Sequence, residues 1–322
     1  MAVDVSVIMP AYRAQTTIGR AIASVFAQQG VVAELVLCAD DDLDYRALVP
    51  DALRSGASIT LCRTPNPKSG PSLARNIALS HARADIIACL DADDAFAPKR
   101  LARLLPLVEQ HGLATGPTLE VHAASRTTRV ARPRRASDRL PVEDICELRM
   151  PFAPVFHRAI CPQGWPQIAF AEDVILNVDL HCATGVYPFV EGADYIYHVS
   201  PGSRTQSVAA LREARTGYLE ILALVDSRSW PRPVVELVRR VFNEDLAAVE
   251  GRWPKAQSTP RGATSYATVR PDEPARGGVP PQTAAFSASR MRLLFLRSLA
   301  SSQRLRRRID LGVTSTSSSS AM

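Results

Sequence analysis

Residues 84–98 read Ala-Asp-Ile-Ile-Ala-Cys-Leu-Asp-Ala-Asp-Asp-Ala-Phe-Ala-Pro. The run from Ile86 to Leu90 is short and apolar, the signature of a strand buried on both faces of a parallel sheet. Three carboxylates follow at once, Asp91, Asp93 and Asp94. Like charges crowded at the end of a buried strand repel one another and lose solvent, and a divalent cation relieves that cost. Mg²⁺ and Mn²⁺ take oxygen ligands, usually one or two carboxylates plus substrate phosphates. In open α/β sheets, ligands collect at the carboxyl ends of strands. The stretch therefore reads as a metal–diphosphate site at Asp91 and Asp93. The plain alternative is an acidic turn capping the helix that starts near Pro98.

On the N-terminal side, strands and helices alternate. Residues 3–9 read as a strand. Thr16 or Thr17 can N-cap a helix with Ile18, Ile22, Val25 and Phe26 on one face, ended by Gly30. A strand over 34–38 precedes the acidic turn Asp40-Asp41-Asp42, and a weakly marked helix over 45–55 leads to a strand over 58–62. Ser69-Gly-Pro71 opens a helix expected to turn Leu73 and Ile77 inward and to present Arg75 and Asn76. After the 84–98 stretch comes a helix with Leu101, Leu104, Leu105 and Val108 on one face, bent at Pro106. Such alternation implies a parallel sheet with right-handed crossovers.

Beyond residue 113 the pattern loosens. Strands are expected over 119–123 and 152–156, a helix over 171–180, an extended stretch over 186–199, and helices over 208–225 and 233–249. Residues 126–139 hold six arginines in a polar stretch. A solvated loop is the favoured reading there, and a lid meeting phosphate is the functional one. The segment 251–287 is rich in Pro, Gly, Ser and Thr and reads as a linker, and 314–320 as a disordered low-complexity end. The expected organisation is a domain over 1–225, halved at 113 into 1–113 and 114–225, then an appended helix over 226–250 and a linker with a basic tail over 251–322.

At 322 residues and 46% hydrophobic the chain can bury a large core. No run approaches the ~18 apolar residues of a membrane span. Residues 1–9 carry Asp4 and read as a strand, not a secretion signal. Six scattered cysteines without a CxxC pair suit reduced core thiols in a cytoplasmic protein. The net charge of +6 is smaller than the seven arginines of residues 290–308, a stretch without acid, so the rest is close to neutral. A basic helix over 289–308 suits an anionic membrane surface, which makes peripheral attachment at the inner face an expectation. The arginine-rich stretches lack aromatic interleaving, so no nucleic acid is expected as a partner.

The ordered motifs carry a resemblance. Val5-Ser-Val-Ile-Met-Pro-Ala-Tyr12 ends the first strand and Asp40-Asp-Asp42 the second. Gly70-Pro-Ser-Leu-Ala-Arg-Asn-Ile77 precedes Leu90-Asp-Ala-Asp-Asp94, and Ala171-Glu-Asp-Val-Ile-Leu176 follows. The series resembles the family 2 glycosyltransferases, with the α/β GT-A fold, over residues 3–205. The resemblance implies that Pro10, Ala11 and Tyr12 line a nucleotide base pocket, with Tyr12 stacking on the base. It makes Asp40 the base-reading carboxylate, sets Arg75 on the diphosphate, and gives Asp91, Ala92 and Asp93 the Asp-x-Asp contact with the sugar nucleotide and its Mn²⁺ or Mg²⁺. Asp173 would be the general base, paired with Glu172, in a single displacement with inversion onto a hydroxyl of a glycan or lipid-linked acceptor.

The chain also departs from the family pattern. Arg13 replaces an asparagine, Ala39-Asp-Asp-Asp42 replaces Asp-Asp-Gly-Ser, and Ala78 replaces a glycine. His198 stands where arginine is common and is a candidate third metal ligand. These changes leave a non-catalytic sugar-nucleotide-binding protein on the same fold as the alternative to an enzyme.

Overall fold

The computed structural model describes residues 3–122, 128–148, 151–199 and 208–251. The expected linker, basic helix and low-complexity end of the C-terminal segment lie outside the described residues. Strand β1 (Val5–Ala11) is buried at every position but Pro10, as a strand covered on both faces must be. Helix α1 (Ile18–Phe26) packs Ile18, Ile22 and Val25 inward at the spacing the sequence predicts, and Gly30 adopts φ +72° beyond its end. Strands β2 (Ala33–Ala39) and β3 (Ile59–Arg63) follow. The helix expected over 45–55 is instead two single 3₁₀ turns, Tyr45–Leu48 and Asp51–Leu53. Pro50 stands between them and cannot continue the first.

Helix α2 (Pro71–His81) starts after Gly70 at φ +97°, with proline at its first position. Its buried residues are Ser72, Ala74, Arg75 and Ala78, while Leu73 and Ile77 are only half-buried. The expected orientation is thus corrected. Small side chains let α2 lie close on β1 and β2, and the guanidinium of Arg75 goes inward because acidic partners meet it there.

Strand β4 (Ile86–Cys89) is followed by β5 (Ala95–Phe96), α3 (Arg100–His111) and β6 (Leu113–Ala114). Helix α3 runs through Pro106 and ends at Gly112, φ +86°. Then come β7 (Thr118–His122), β8 (Thr128–Ala131), α4 (Val142–Glu147), β9 (Val155–His157), α5 (Glu172–Thr184), β10 (Tyr195–Val199), α6 (Val208–Leu224) and α7 (Arg232–Glu250). Residues 128–131 of the arginine-rich stretch are a strand paired antiparallel with β7, not a loop. Arg134 in the same stretch bonds Asp144 and Glu147, and salt bridges of that kind spend the charge the lid reading requires.

The larger sheet runs β3-β2-β1-β4-β9-β6, parallel from β3 to β4 and antiparallel at β9 and β6. A smaller sheet runs β5-β10-β7-β8. Arg100 ties the two together. Its guanidinium is fully buried, donates to the carbonyls of Ala193 and Ala153, and lies 5.6 Å from the ring centre of Tyr195. Burial without a carboxylate partner pushes it down to about 10. Among the described residues, no helix is long and apolar enough to cross a membrane.

Candidate active site

The carboxyl ends of β1, β2 and β4 lie side by side. Pro10 and Ala11 pair with Cys38 and Ala39, the Asp40 N–H donates to the Ala11 carbonyl at 2.8 Å, and the Leu90 N–H donates to the Ile8 carbonyl at 3.1 Å. Tyr12 projects from this edge at 39% exposure, and the Arg13 guanidinium lies over its ring, 5.2 Å from the ring centre. Arg13 follows in the left-handed region at φ +51°. Asparagine tolerates that conformation far better than arginine, which explains why asparagine suits the position and what its replacement costs.

Asp40 is buried, and its carboxylate accepts from the Thr64 hydroxyl at 2.8 Å and from the N–H groups of Ser69 and Gly70 at 2.8 and 2.9 Å. It thereby shapes the loop that launches α2. Asp41 does parallel work on the other side, accepting from the Arg13 N–H and the Tyr45 hydroxyl.

Arg75 is the hub. It donates to Glu172 Oε1 at 2.9 Å and to Asp91 Oδ1 at 2.7 Å, with side-chain exposures of 8% for Arg75, 9% for Glu172 and 40% for Asp91. Its guanidinium lies 6.0 Å from the ring centre of Trp165. Burial alone would weaken this cation, but Asp91 and then Glu172 outweigh it and hold its pKa above the ordinary arginine value. Two sequence motifs 97 residues apart are thus closed into one site by one side chain. Asn76 latches the neighbouring loop: its amide donates to the Trp165 carbonyl at 2.9 Å and accepts the Trp165 N–H at 2.8 Å. Gly164 makes room, since a Cβ there would sit 2.2 Å from Asn76 Oδ1.

The acidic tip of β4 is ordered by β10. The Tyr195 hydroxyl donates to Asp94 Oδ2 at 2.6 Å and accepts the Asp91 N–H at 3.2 Å, while the His198 N–H donates to Asp94 Oδ1 at 2.9 Å. Burial, then Asp93 and Asp91, push Asp94 well above the usual carboxylate range. Asp93 keeps one face in solvent, yet burial of the other and the charge of Asp91 push it up to about 6. Asp173 reaches about 6 as well, through burial first and Glu172 second, with Arg75 pulling the other way. Burial, then Arg20, lowers the imidazole of His198. Asp94, Tyr195, Trp165 and Asn76 were not singled out as site residues by the sequence. A Tyr195/Tyr197 alternation is visible there, but nothing marks which hydroxyl reaches the acidic tip.

Asp91 and Asp93 offer an anionic, all-oxygen donor set of the kind Mg²⁺ and Mn²⁺ bind while keeping positions for phosphate. Among the described residues no three His, Cys, Asp or Glu side chains gather as metal ligands. The expected set of Asp91, Asp93 and His198 is therefore not pre-assembled. Asp91 is turned to Arg75, and the main chain of His198 is held on Asp94.

Residues 6–153 match the model for glycosyl transferase family 2. The succinoglycan biosynthesis protein ExoO of Rhizobium meliloti is 27% identical over 249 residues, 69% of each chain. Escherichia coli WfgD, a UDP-Glc:alpha-D-GlcNAc-diphosphoundecaprenol beta-1,3-glucosyltransferase, is 33% identical over 110 residues, 34% of this chain and 43% of that protein. Staphylococcus aureus TarS in complex with UDP-GlcNAc superposes with a TM-score of 0.59 at 16% identity, covering 74% of this chain and 71% of that one. The mannosyltransferase PcManGT of Pyrobaculum calidifontis, in complex with GDP-Man and Mn²⁺, gives a TM-score of 0.55 at 18% identity over 78% of both chains. The mixed α/β sheet with an acidic strand tip is the GT-A fold of these structures, and the stretch over residues 6–153 is similar to glycosyl transferase family 2.

Proposed function

We propose that the chain is a divalent-metal-dependent, inverting glycosyltransferase that moves a sugar from a UDP-sugar to a hydroxyl of a glycan or a lipid-linked glycan. One observation carries this reading: Arg75 ties the donor-side carboxylate Asp91 to the acceptor-side Glu172, whose neighbour Asp173 feels the charges of both Arg75 and Asp91. A relative that acts on a diphosphoundecaprenol-linked sugar supports the acceptor class. Structures of the fold with UDP-GlcNAc and with Mn²⁺ support the donor class and the metal.

In this reading Tyr12 stacks on the base and the edge formed by Pro10, Ala11 and Asp40 bounds it. Asp91 and Asp93 hold the cation, which when bound neutralises charge gathering on the departing diphosphate. Asp173 accepts the proton of the acceptor hydroxyl as that oxygen forms its bond to the anomeric carbon and the bond to the diphosphate oxygen breaks. A base on the face opposite the leaving group gives inversion. A carboxylate lifted to about 6 suits the role, because it is ionised at neutral pH yet more basic than an ordinary aspartate. Glu172 holds Arg75 rather than the acceptor.

The test is UDP release from UDP-glucose and UDP-N-acetylglucosamine with Mn²⁺, comparing the full chain with Asp173→Asn. Turnover lost in the variant, with UDP binding kept, supports the proposal. A wild-type chain that binds UDP and never releases it from a UDP-sugar marks a sugar-nucleotide-binding protein instead.

A further inference from the structure

The base-bearing helix α5 starts in an unusual way. Ala171, at its N-terminal boundary, is left-handed at φ +63° and ψ +28°, and no side chain caps the helix. An alanine in that region is strained, and such strain persists only where the surroundings impose it. The imposing element is α6. Gly217 lies in its interior, where glycine costs about 1 kcal/mol relative to alanine. A Cβ on Gly217 would sit 2.6 Å from the Phe170 nitrogen and 2.7 Å from its carbonyl oxygen, so the two backbones touch. One turn on, Glu220 Oε2 accepts the Ala169 N–H at 2.7 Å. Between them the Tyr218 ring meets Phe170 edge-on, 5.8 Å between centres. Three contacts from consecutive parts of one helix fall on residues 169 and 170, and Glu172 and Asp173 begin the next turn of chain.

We propose that α6, through Gly217 and Glu220, is a positioning element that holds the elbow before α5 and so aims the Asp173 carboxylate. The inference rests on Asp173 being the base. Neither residue reaches the reacting atoms. They act through the backbone of Ala169 and Phe170, which sets where α5 starts and in which direction its first turn faces. The strained Ala171 is what makes the aim dependent on α6, since a relaxed elbow would let that first turn rotate.

The experiment measures UDP release from UDP-glucose or UDP-N-acetylglucosamine with Mn²⁺, UDP affinity, and thermal stability for the full chain. In Gly217→Ala the new methyl displaces Phe170. Turnover is expected to fall on the order of 10- to 100-fold, as for a misplaced catalytic group, with UDP affinity unchanged. Wild-type turnover in Gly217→Ala together with a higher Tm, the ordinary result of replacing a helix glycine, overturns the proposal. Should that variant fail to fold, Glu220 decides, because it is exposed. Loss of turnover in Glu220→Ala with recovery in Glu220→Gln, which still accepts the Ala169 N–H, supports positioning. Equal turnover in Glu220→Ala and wild type overturns it. Undiminished UDP release in Asp173→Asn removes the base itself, and the positioning claim with it, whatever the α6 variants do.

Discussion

Replacing Arg75 by methionine removes the one cation between Asp91 and Glu172 while keeping most of the side-chain volume. Breaking a buried ion pair by deleting one partner costs about 3–5 kcal/mol, because the other charge stays buried and unpaired. Glu172, at 9% side-chain exposure, suffers this in full, whereas Asp91, at 40%, recovers part of it from water. The loss should therefore fall near the lower figure, about 3 kcal/mol. In a unit spanning Met1–Lys255 that lowers Tm by about 6–12 °C. The sign of the pH dependence is a second constraint. Asp93 and Asp173 sit near 6 in the wild type, above their unfolded value, and removal of Arg75 raises Asp173 further. Between about pH 4 and 6 wild type and variant alike bind more protons when folded, so both lose stability as pH rises, and the variant alone goes on losing it above 6. Urea denaturation followed by circular dichroism at pH 5 and pH 8 should give a larger Arg75→Met penalty at pH 8. A penalty below about 1 kcal/mol, or one equal at the two pH values, refutes the hub.

Three further outcomes follow from the same contacts. Because Asp173 must be ionised to take a proton and sits at about 6, kcat should fall as pH drops through 6, and turnover flat to pH 4.5 would contradict its role. Tyr195→Phe leaves an Asp94 oxygen and the Asp91 N–H without their hydroxyl, which should cost about 1–3 kcal/mol by urea denaturation and weaken Mn²⁺-dependent UDP binding by calorimetry. Cys62, half-buried opposite Cys38 on β3, is held below the usual thiol range by the Cys38 hydrogen bond, against burial, with His81 also favouring its thiolate. The thiols of Cys89, Cys146, Cys161 and Cys182 are pushed up by burial. Iodoacetamide with peptide mapping should therefore modify Cys62 first.

Strands β1, β2 and β4 were legible because each is a short, buried apolar run, whereas β6, two residues long, offers no run to read. The acidic tip of β4 was legible because carboxylates at a buried strand end have few physical explanations. Arg75 shows where that legibility stopped. Its helical spacing placed it on a surface face, and only the meeting of α2 with α5 supplies the acids that draw it in. The stretch over 186–199 shows the opposite failure. It was read as one extended stretch, yet it is broken between bridges at Pro188 and Phe189 and β10 at Tyr195–Val199, because Gly192 turns the chain at φ +74° and packs on Arg103. Helix α4, six residues long, falls below the length at which periodicity can be read.

The division of labour among the carboxylates follows from their partners rather than from their order in the chain. Of the three at the tip, Asp94 is spent on Tyr195 and the His198 main chain, and Asp91 is shared with Arg75. Asp93 is the most exposed of the three, and its lifted pKa marks a charge poorly compensated by the protein. In the second pair, Glu172 is bound to Arg75 and Asp173 is left lifted. The tip thus contains two carboxylates engaged by hydrogen bonds and one left under-compensated, and the second pair one of each. An under-compensated carboxylate is costly to keep in a folded chain, and in the proposed mechanism a cation at Asp93 and a hydroxyl proton at Asp173 would relieve that cost. Mn²⁺ should accordingly raise the Tm of the wild-type chain and lose that effect in Asp93→Asn, while Asp173→Asn keeps it. Equal stabilisation of all three would break the assignment.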